Sequence, residues 1–231
     1  MLTKKAILFL SVSALALTVV LSLSFRDARA GQAPPTVPRG TKIIQVRARD
    51  GGLLPEGIRA RIRGVENLGR AESFLEGVTT DKVRVIGVEP APVLHLRSGN
   101  EVLAAAIVQG RGLEAGDAPE AMVVGKTFAQ NNKTALGLSI PAMLTKDHFP
   151  PIIVGGQGFA IVGIYATGDH KTDDQVLVLL VTAQKLLNQP GRVSGIYVTP
   201  ATLPAADQVA KDLRRALGGT AEVTPLSVSR R

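Results

Sequence analysis

VSGIYVTPATLPAADQVAKDLRRALGGTAEVTPL, residues 193–226, is the stretch from which the fold can be predicted. Alternation and β-branched residues indicate strands over Val193–Val198 and Ala221–Leu226, with a helix over Pro204–Leu217 between them. Gly218 and Gly219 end that helix. Apolar residues recur at helical spacing along one of its faces: Ala206, Val209, Ala210, Leu213 and Leu217. The stretch therefore predicts a β-α-β unit.

Residues 41–78 have the same pattern of strand, helix and strand. Thr41–Arg49 is predicted to be a half-buried strand, with Ile44, Val46 and Ala48 on its buried side. A short helix is expected to begin at Pro55, and a second strand follows over Arg70–Val78. We predict an α+β fold in which 41–88 and 192–228 form one layer of two β-α-β units. Residues 89–191 are expected to form an inserted, β-rich subdomain.

The first thirty residues determine the compartment. Ala6–Phe25 contains twenty residues without a charge, which as a helix would span about 30 Å, the thickness of the hydrocarbon core. Lys4 and Lys5 precede it, so the N-terminus is expected to stay cytoplasmic. Residues 6–25 are therefore predicted to be a membrane anchor. The alternative is a signal peptide cleaved after Ala30, because Ala28-Arg29-Ala30 fits the small-x-small pattern. Either reading exports the chain from 31 onward, beginning with a Pro- and Gly-rich linker over 31–40.

Composition removes several classes of function. The 231 residues include no Cys, which excludes a disulfide scaffold, a thiolate metal site and a Cys nucleophile. The formal net charge is +8, but the Lys and Arg residues are spread along the chain and aromatic residues make up only 3%. Nucleic acid is therefore not an expected partner.

Few residues are candidates for chemistry. Asp169, His170, Asp173 and Asp174 could in principle hold a metal ion, but their spacing is not that of a calcium loop, and a solvated loop is the simpler interpretation. Ser139 and Ser194 lie in no nucleophile elbow. The sequence assigns no catalytic, cofactor-binding or metal-binding residue and no cofactor, and predicts a protein that is not an enzyme. A hydrolase that uses the 169–174 loop is a remote alternative.

Six segments, in a fixed order along the chain, resemble the MacB-like periplasmic core domain of FtsX/MacB-type ABC-transporter permeases. They are IRGVEN (62–67), IVQGRGLE (107–114), EAMVVG (120–125), FAIVGI (159–164), DQVLVLLVTAQKLL (174–187) and GRVSGIYV (191–198). The resemblance covers about residues 41–228, and its most specific piece is the L-x-T-A-Q-x-L pattern within 174–187.

The resemblance implies an extracytoplasmic domain that follows a first transmembrane helix. Such a domain transmits conformational change from a cytoplasmic ABC ATPase subunit, together with other permease segments, to a substrate or a periplasmic partner protein. It carries no catalytic residues. A free, secreted periplasmic binding module is the alternative function.

Two departures from the family pattern shape these expectations. Residues 135–142 read ALGLSIPA where the family usually has L-G-L-x-V-G-D. A permease of this type also continues with three further membrane helices after the domain. We therefore expect a split or truncated permease, or a stand-alone relative.

Overall fold

The computed structural model describes residues 41–99, 101–134, 137–143 and 151–229. The strands are β1 Lys42–Ala48, β2 Leu54–Pro55, β3 Leu68–Val78, β4 Arg84–Val88, β5 Leu94–Ser98, β6 Glu101–Gly110, β7 Ala121–Gly125, β8 Ile152–Val154, β9 Gln157–Ala166, β10 Val176–Leu179, β11 Arg192–Val193, β12 Gly195–Pro200 and β13 Ala221–Ser229. The helices are α1 Ile58–Ile62, α2 Lys126–Asn131, α3 Ile140–Met143, α4 Leu180–Leu186 and α5 Ala206–Leu217, and a 3₁₀ turn over Leu203–Ala205 precedes α5.

Both ends of the described chain form split β-α-β units. β12 and β13 are joined through α5 and lie on either side of β1, which is antiparallel to both. β1 and β3 are joined through α1 and lie on either side of β12. The four strands are therefore adjacent in the order β13-β1-β12-β3. This is the interleaved arrangement of a ferredoxin-like layer, and the mixed α/β class expected from the sequence is confirmed.

Strands from the middle of the chain continue this layer. The sheet runs in the order β5-β6-β13-β1-β12-β3-β4-β10-β7-β9-β8, and β6 also pairs with β9. β13 pairs with Val102 and Leu103 of β6, and β9 pairs with residues 106–110 of the same strand. The strand pairings therefore lead from β6 around the sheet and back to β6, so that the sheet is closed. The division into a 41–88 and 192–228 layer and an 89–191 subdomain stays a prediction.

β1 is buried on both faces. On the outer face, Ile44 and Val46 of β1 pack with Val209 and Leu213 of α5. On the inner face, Ile43 belongs to a second core with Tyr165 and Leu177. The prediction of a half-buried first strand was therefore wrong, because pairings with distant parts of the chain cover its second face. Even Gln45, expected to be exposed, is only 5% accessible.

The predicted start of the first helix also needs correction. Pro55 lies in β2, where it pairs with Arg192 of β11, and α1 begins three residues later at Ile58. Ile58 and Ile62 are buried as the helical spacing predicted. The loop after Pro55 is held by the amide of Glu56, which donates to the carbonyl of Gly191 over 2.9 Å.

The contact between β6 and β9 requires residues without side chains. An added Cβ on Gly163 would lie 2.1 Å from the carbonyl oxygen of Arg111, and one on Gly110 would lie 2.3 Å from that of Val162. Gly110 also has a φ of +69°, which L side chains rarely adopt. The amide of Arg111 donates to the carbonyl of Val162 over 3.0 Å. We call this contact the β6–β9 seam.

An ion pair holds the loop that follows the seam. The guanidinium of Arg111 donates to both carboxylate oxygens of Asp117, over 2.8 and 2.5 Å, and the amide of Glu114 also donates to Asp117. Burial alone would raise the pKa of Asp117, but the hydrogen bonds from Arg111 and Glu114 and the charge of Arg111 outweigh it and lower the pKa below 3.8.

We predict that Gly163→Ala lowers the free energy of unfolding by about 3 kcal/mol or more, because the new methyl group meets backbone rather than a movable side chain. Denaturant unfolding followed by circular dichroism measures the effect. Gly116→Ala is the matched control, since nothing lies within 4 Å of its added Cβ, and it should change stability by less than about 0.5 kcal/mol. Equal effects of the two substitutions would contradict the proposed tightness of the seam.

We predict that Asp117→Asn lowers the free energy of unfolding by about 2 kcal/mol at pH 7. The pKa of this carboxyl is lowered in the folded state, so its contribution is present above the unfolded pKa and is lost as pH falls through the folded pKa. The difference between wild type and variant should therefore shrink below about pH 4. Unfolding curves at several pH values test this, with the exposed Glu66→Gln as control. A difference that does not depend on pH would refute the ionic origin of the effect.

Candidate functional site

One half of β3 has an open edge. β3 is 11 residues long, but β4 covers only its second half, from Phe74 to Val78. Beyond Val88 the chain continues through Pro90 and Pro92, which have no amide hydrogen and cannot extend a β ladder. Among the residues that the structure describes, no strand pairs with 68–73 of β3 on this side.

Backbone alternation shows which groups face the open edge. The carbonyl of Phe74 accepts from Ser194 on the β12 side, whereas the amide of Ser73 points the other way and donates to the Glu89 carboxylate over 3.2 Å. Along a strand, the amide and carbonyl groups of successive residues point alternately to one side and to the other. The amide and carbonyl of Ala71 therefore point outward, like those of Ser73.

A groove of about 450 Å³ lies along this edge. One wall is the edge itself, with Arg70, Ala71 and Glu72; the other is formed by residues 89–92 and 113–115. Arg59 of α1 lines this groove and also an adjoining groove of about 250 Å³. The adjoining groove is lined by Ile62, Arg63 and Leu68 in place of residues 89–92 and 113–115. We call the two together the β3 edge groove.

The charges along the groove are unevenly placed. The adjoining part is lined by three guanidinium groups, from Arg59, Arg63 and Arg70, and by no carboxylate. The larger part adds the carboxylates of Glu72, Glu89 and Glu114. The groove is thus basic at one end and mixed to acidic at the other.

Ion pairs involve most of the charged groups along the groove. Arg59 pairs with Glu89, which links α1 to the chain after β4, and Arg70 pairs with Glu72 over 3.3 Å. His95 of β5 approaches Glu72, with 3.8 Å between Nδ1 and Oε2, and its Nδ1 has no hydrogen-bond partner. The partly exposed pairs contribute little to stability by themselves, so their main effect is to place charged groups along the edge.

Behind the groove, the inner face of the sheet carries a packed aromatic group. Tyr197 lies opposite Glu72 and stacks on Phe74 with ring centroids 4.4 Å apart. Burial and the charge of Glu76 raise the pKa of Tyr197, so its phenol stays protonated at neutral pH. Its hydroxyl accepts a hydrogen bond from Gln45 over 3.3 Å. These contacts fix the strand from which Glu72 projects.

The groove was missed by the sequence analysis. Arg70–Val78 was expected as a strand, but neither its pairing with β4 nor the fact that β4 covers only part of it can be derived from local pattern. The available signal was the pair Pro90 and Pro92 directly after a strand, which indicates a neighbour left partly unpaired.

The 169–174 loop is a structural element. Asp173 is only 4% accessible, and its Oδ1 accepts from the amide and the hydroxyl of Thr167 over 2.8 and 2.7 Å. Asp169 accepts in the same way from Thr172, which is 2% accessible. The expectation of a solvated loop holds for His170 and Asp174, which are exposed, but it was wrong for Asp173, whose carboxylate is buried.

The other candidates lie apart. His170 contacts Thr127, and Ser194 is buried, where its hydroxyl accepts from the amide of Glu76. Ser139 forms an isolated bridge with Lys133. In the described part of the chain, no group of three His, Cys, Asp or Glu residues is placed to hold a metal ion.

The predicted anchor over residues 6–25 and the linker over 31–40 lie outside the described residues. Among the helices of the described ranges, none has the length and apolarity needed to cross a bilayer.

Comparison with known proteins identifies the class of domain. Residues 6–216 match the family of MacB-like periplasmic core domains. The chain belongs to this family, which confirms the resemblance found in the sequence. No curated protein matches it.

Two solved structures show the same fold at low identity. The extracellular domain of the noncanonic ABC-type transporter YknZ from Gram-positive bacteria is similar over 79% of this chain and 99% of that one, at 13% identity and a TM-score of 0.53. The periplasmic region of MacB from Actinobacillus actinomycetemcomitans is similar over 80% and 89% respectively, at 10% identity and a TM-score of 0.54.

We predict that Glu89→Ala speeds hydrogen exchange at the Ser73 amide by about tenfold, because this amide loses its carboxylate acceptor. Stability should fall by about 1–2 kcal/mol. Exchange measured by mass spectrometry on the purified chain tests both statements. Glu120→Ala removes an exposed carboxylate elsewhere and should leave exchange at Ser73 unchanged. Unaltered exchange in Glu89→Ala would show that Glu89 does not protect the open edge.

Proposed function

We propose that this chain is the extracytoplasmic domain of an ABC-transporter permease-like protein, anchored in the cell membrane by residues 6–25. In this function it transmits conformational change from a cytoplasmic ABC ATPase, acting with other permease segments, to a substrate or partner outside. Membership of the MacB-like family is the observation that carries the proposal.

The position of the chain ends supports it. Lys42 at the start of β1 pairs with Ser227 near the end of β13, and the amide of Val228 donates to the carbonyl of Thr41 over 3.1 Å. Both ends of the described range thus lie side by side, at the same end of two adjacent strands. This arrangement suits a domain whose two connections lead toward one membrane surface.

The pairing of β1 with β13 also suits mechanical transmission. Seven residue pairs join the two strands, and β1 is bonded to β12 on its other side. A displacement applied to either terminal strand acts on the centre of the sheet, because a densely packed interior moves as a unit.

A cleaved, secreted form is the second candidate function. The Ala28-Arg29-Ala30 sequence favours it, and a mature chain beginning at Gly31 would be a periplasmic protein-binding module without a transport role.

Single-cysteine labelling in intact cells tests the topology, and the absence of native Cys makes the background clean. Gly116→Cys, which has open space around its Cβ, should react with a membrane-impermeant maleimide in intact spheroplasts. Thr3→Cys should react only after permeabilisation.

Labelling of Gly116→Cys only after lysis would reject an extracytoplasmic domain. Mass spectrometry of the mature N-terminus decides between the two candidates: an intact N-terminal segment supports the anchor, and a start at Gly31 supports the secreted module.

A further inference from the structure

We propose that the β3 edge groove binds an extended polypeptide segment of a partner or substrate protein by adding it as a strand to the open edge of β3. The inference rests on the proposed function, in which the domain contacts a protein outside the membrane. It specifies where and how that contact is made.

The first argument is the backbone. The outward-facing amide and carbonyl of Ala71 form a ready template for one further strand. The neighbouring position along this edge, Ser73, is blocked because its amide is already bonded to Glu89. The added strand therefore pairs with the first half of β3, centred on Ala71.

The second argument is space. One way in which natural sheets protect an open edge is to cover it with a helix or a loop. Here residues 89–92 stand away from β3 and leave a groove of about 450 Å³ between them and the edge. Pro90 and Pro92 keep this wall from closing onto β3 as a strand of its own.

The third argument is charge. Arg70 and Glu72 lie two residues apart on the same face of β3 and both line the groove. Ala71, between them, lies on the opposite face of the strand, in the core that also contains Ile62 and against which Leu68 packs. A complementary strand carries one basic and one acidic side chain two residues apart, with an apolar residue between them.

The designed probe is acetyl-Lys-Val-Glu-Val-Thr-amide carrying a fluorophore. Acetyl-Lys-Val-Lys-Val-Thr-amide and acetyl-Glu-Val-Glu-Val-Thr-amide keep the spacing but place one like charge against β3, whichever way the strand runs. A fourth peptide repeats the first with an N-methyl group on the Val between the charges, which removes the amide that pairs with Ala71.

Fluorescence anisotropy with the full-length protein in a neutral detergent gives the affinities. The Lys-Val-Glu peptide should bind about three- to tenfold more tightly than either like-charged peptide. N-methylation should weaken it by about tenfold or more, and binding should slow hydrogen exchange at the Ala71 amide.

Arg70→Glu provides the decisive variant. It leaves two acidic side chains along the edge, so the Lys-Val-Lys peptide should become the preferred ligand. Arg84→Glu makes the same charge change on β4, opposite Val78 at the far end of β3, and should leave the order of affinities unchanged.

Several outcomes would overturn the proposal. Equal affinities for all four peptides, or unchanged hydrogen exchange at the Ala71 amide, would show that the peptide does not pair with β3 as an added strand. A dimer of the chain that dissociates on Arg70→Glu would assign the edge to a second copy. Binding of phosphatidylglycerol micelles at the groove without discrimination among peptides would assign it to lipid. Because maleimide topology is measured separately, a domain that is extracytoplasmic yet binds no peptide would refute this inference alone.

Discussion

The β6–β9 seam is the constraint on which the rest of the structure depends. Without it, the strands would form an open sheet whose inner face, including Tyr165 and Leu177, would have no enclosure. The seam exists only because two backbones approach to a distance that excludes a Cβ at Gly163. The pair Arg111–Asp117 then fixes the direction in which the chain leaves. One contact of backbone with backbone thus closes the sheet around its inner core.

Local pattern was sufficient for those elements whose periodicity is set by one buried face. The helix at 206–217 buries the five residues that the spacing predicted, because a single stripe packs against the sheet. Thr41–Arg49 was assigned correctly as a strand, but its second face was not, since that face is covered by Phe74, Leu96 and other residues far away in sequence. The sheet closes through pairings between strands that are distant in sequence, and these pairings cannot be derived from a short segment of the chain.

The candidate site was beyond sequence reasoning for a related reason. It exists because β3 is longer than the segment that β4 covers: the six residues 68–73 precede Phe74, the first residue of β3 that pairs with β4. Its charged groups come from α1, from β3 and from the loop containing Glu114, and only the completed fold brings them together. The 169–174 loop shows the converse error. Its polar sequence resembles a surface loop, yet Thr167 donates two hydrogen bonds to the buried Asp173 carboxylate, and Thr172 donates two to that of Asp169.

Only a few strand pairings separate the open edge of β3 from the ends of the described chain. Ala71 of β3 lies opposite Val198 of β12, and Val198 lies opposite Ile44 of β1, so the three form one row across adjacent strands. Ile44 in turn lies opposite Pro225 of β13. If the proposed function is correct, movement of a membrane segment joined to β1 reaches the edge groove through two strand pairings, and movement of one joined to β13 reaches it through three. Because hydrogen-bonded strands resist sliding, the groove would follow the ends of β1 and β13 as a rigid body. The same rows would carry the load of a bound polypeptide back to the chain ends, which is the behaviour required of a domain that couples an external protein to a motor on the other side of the membrane.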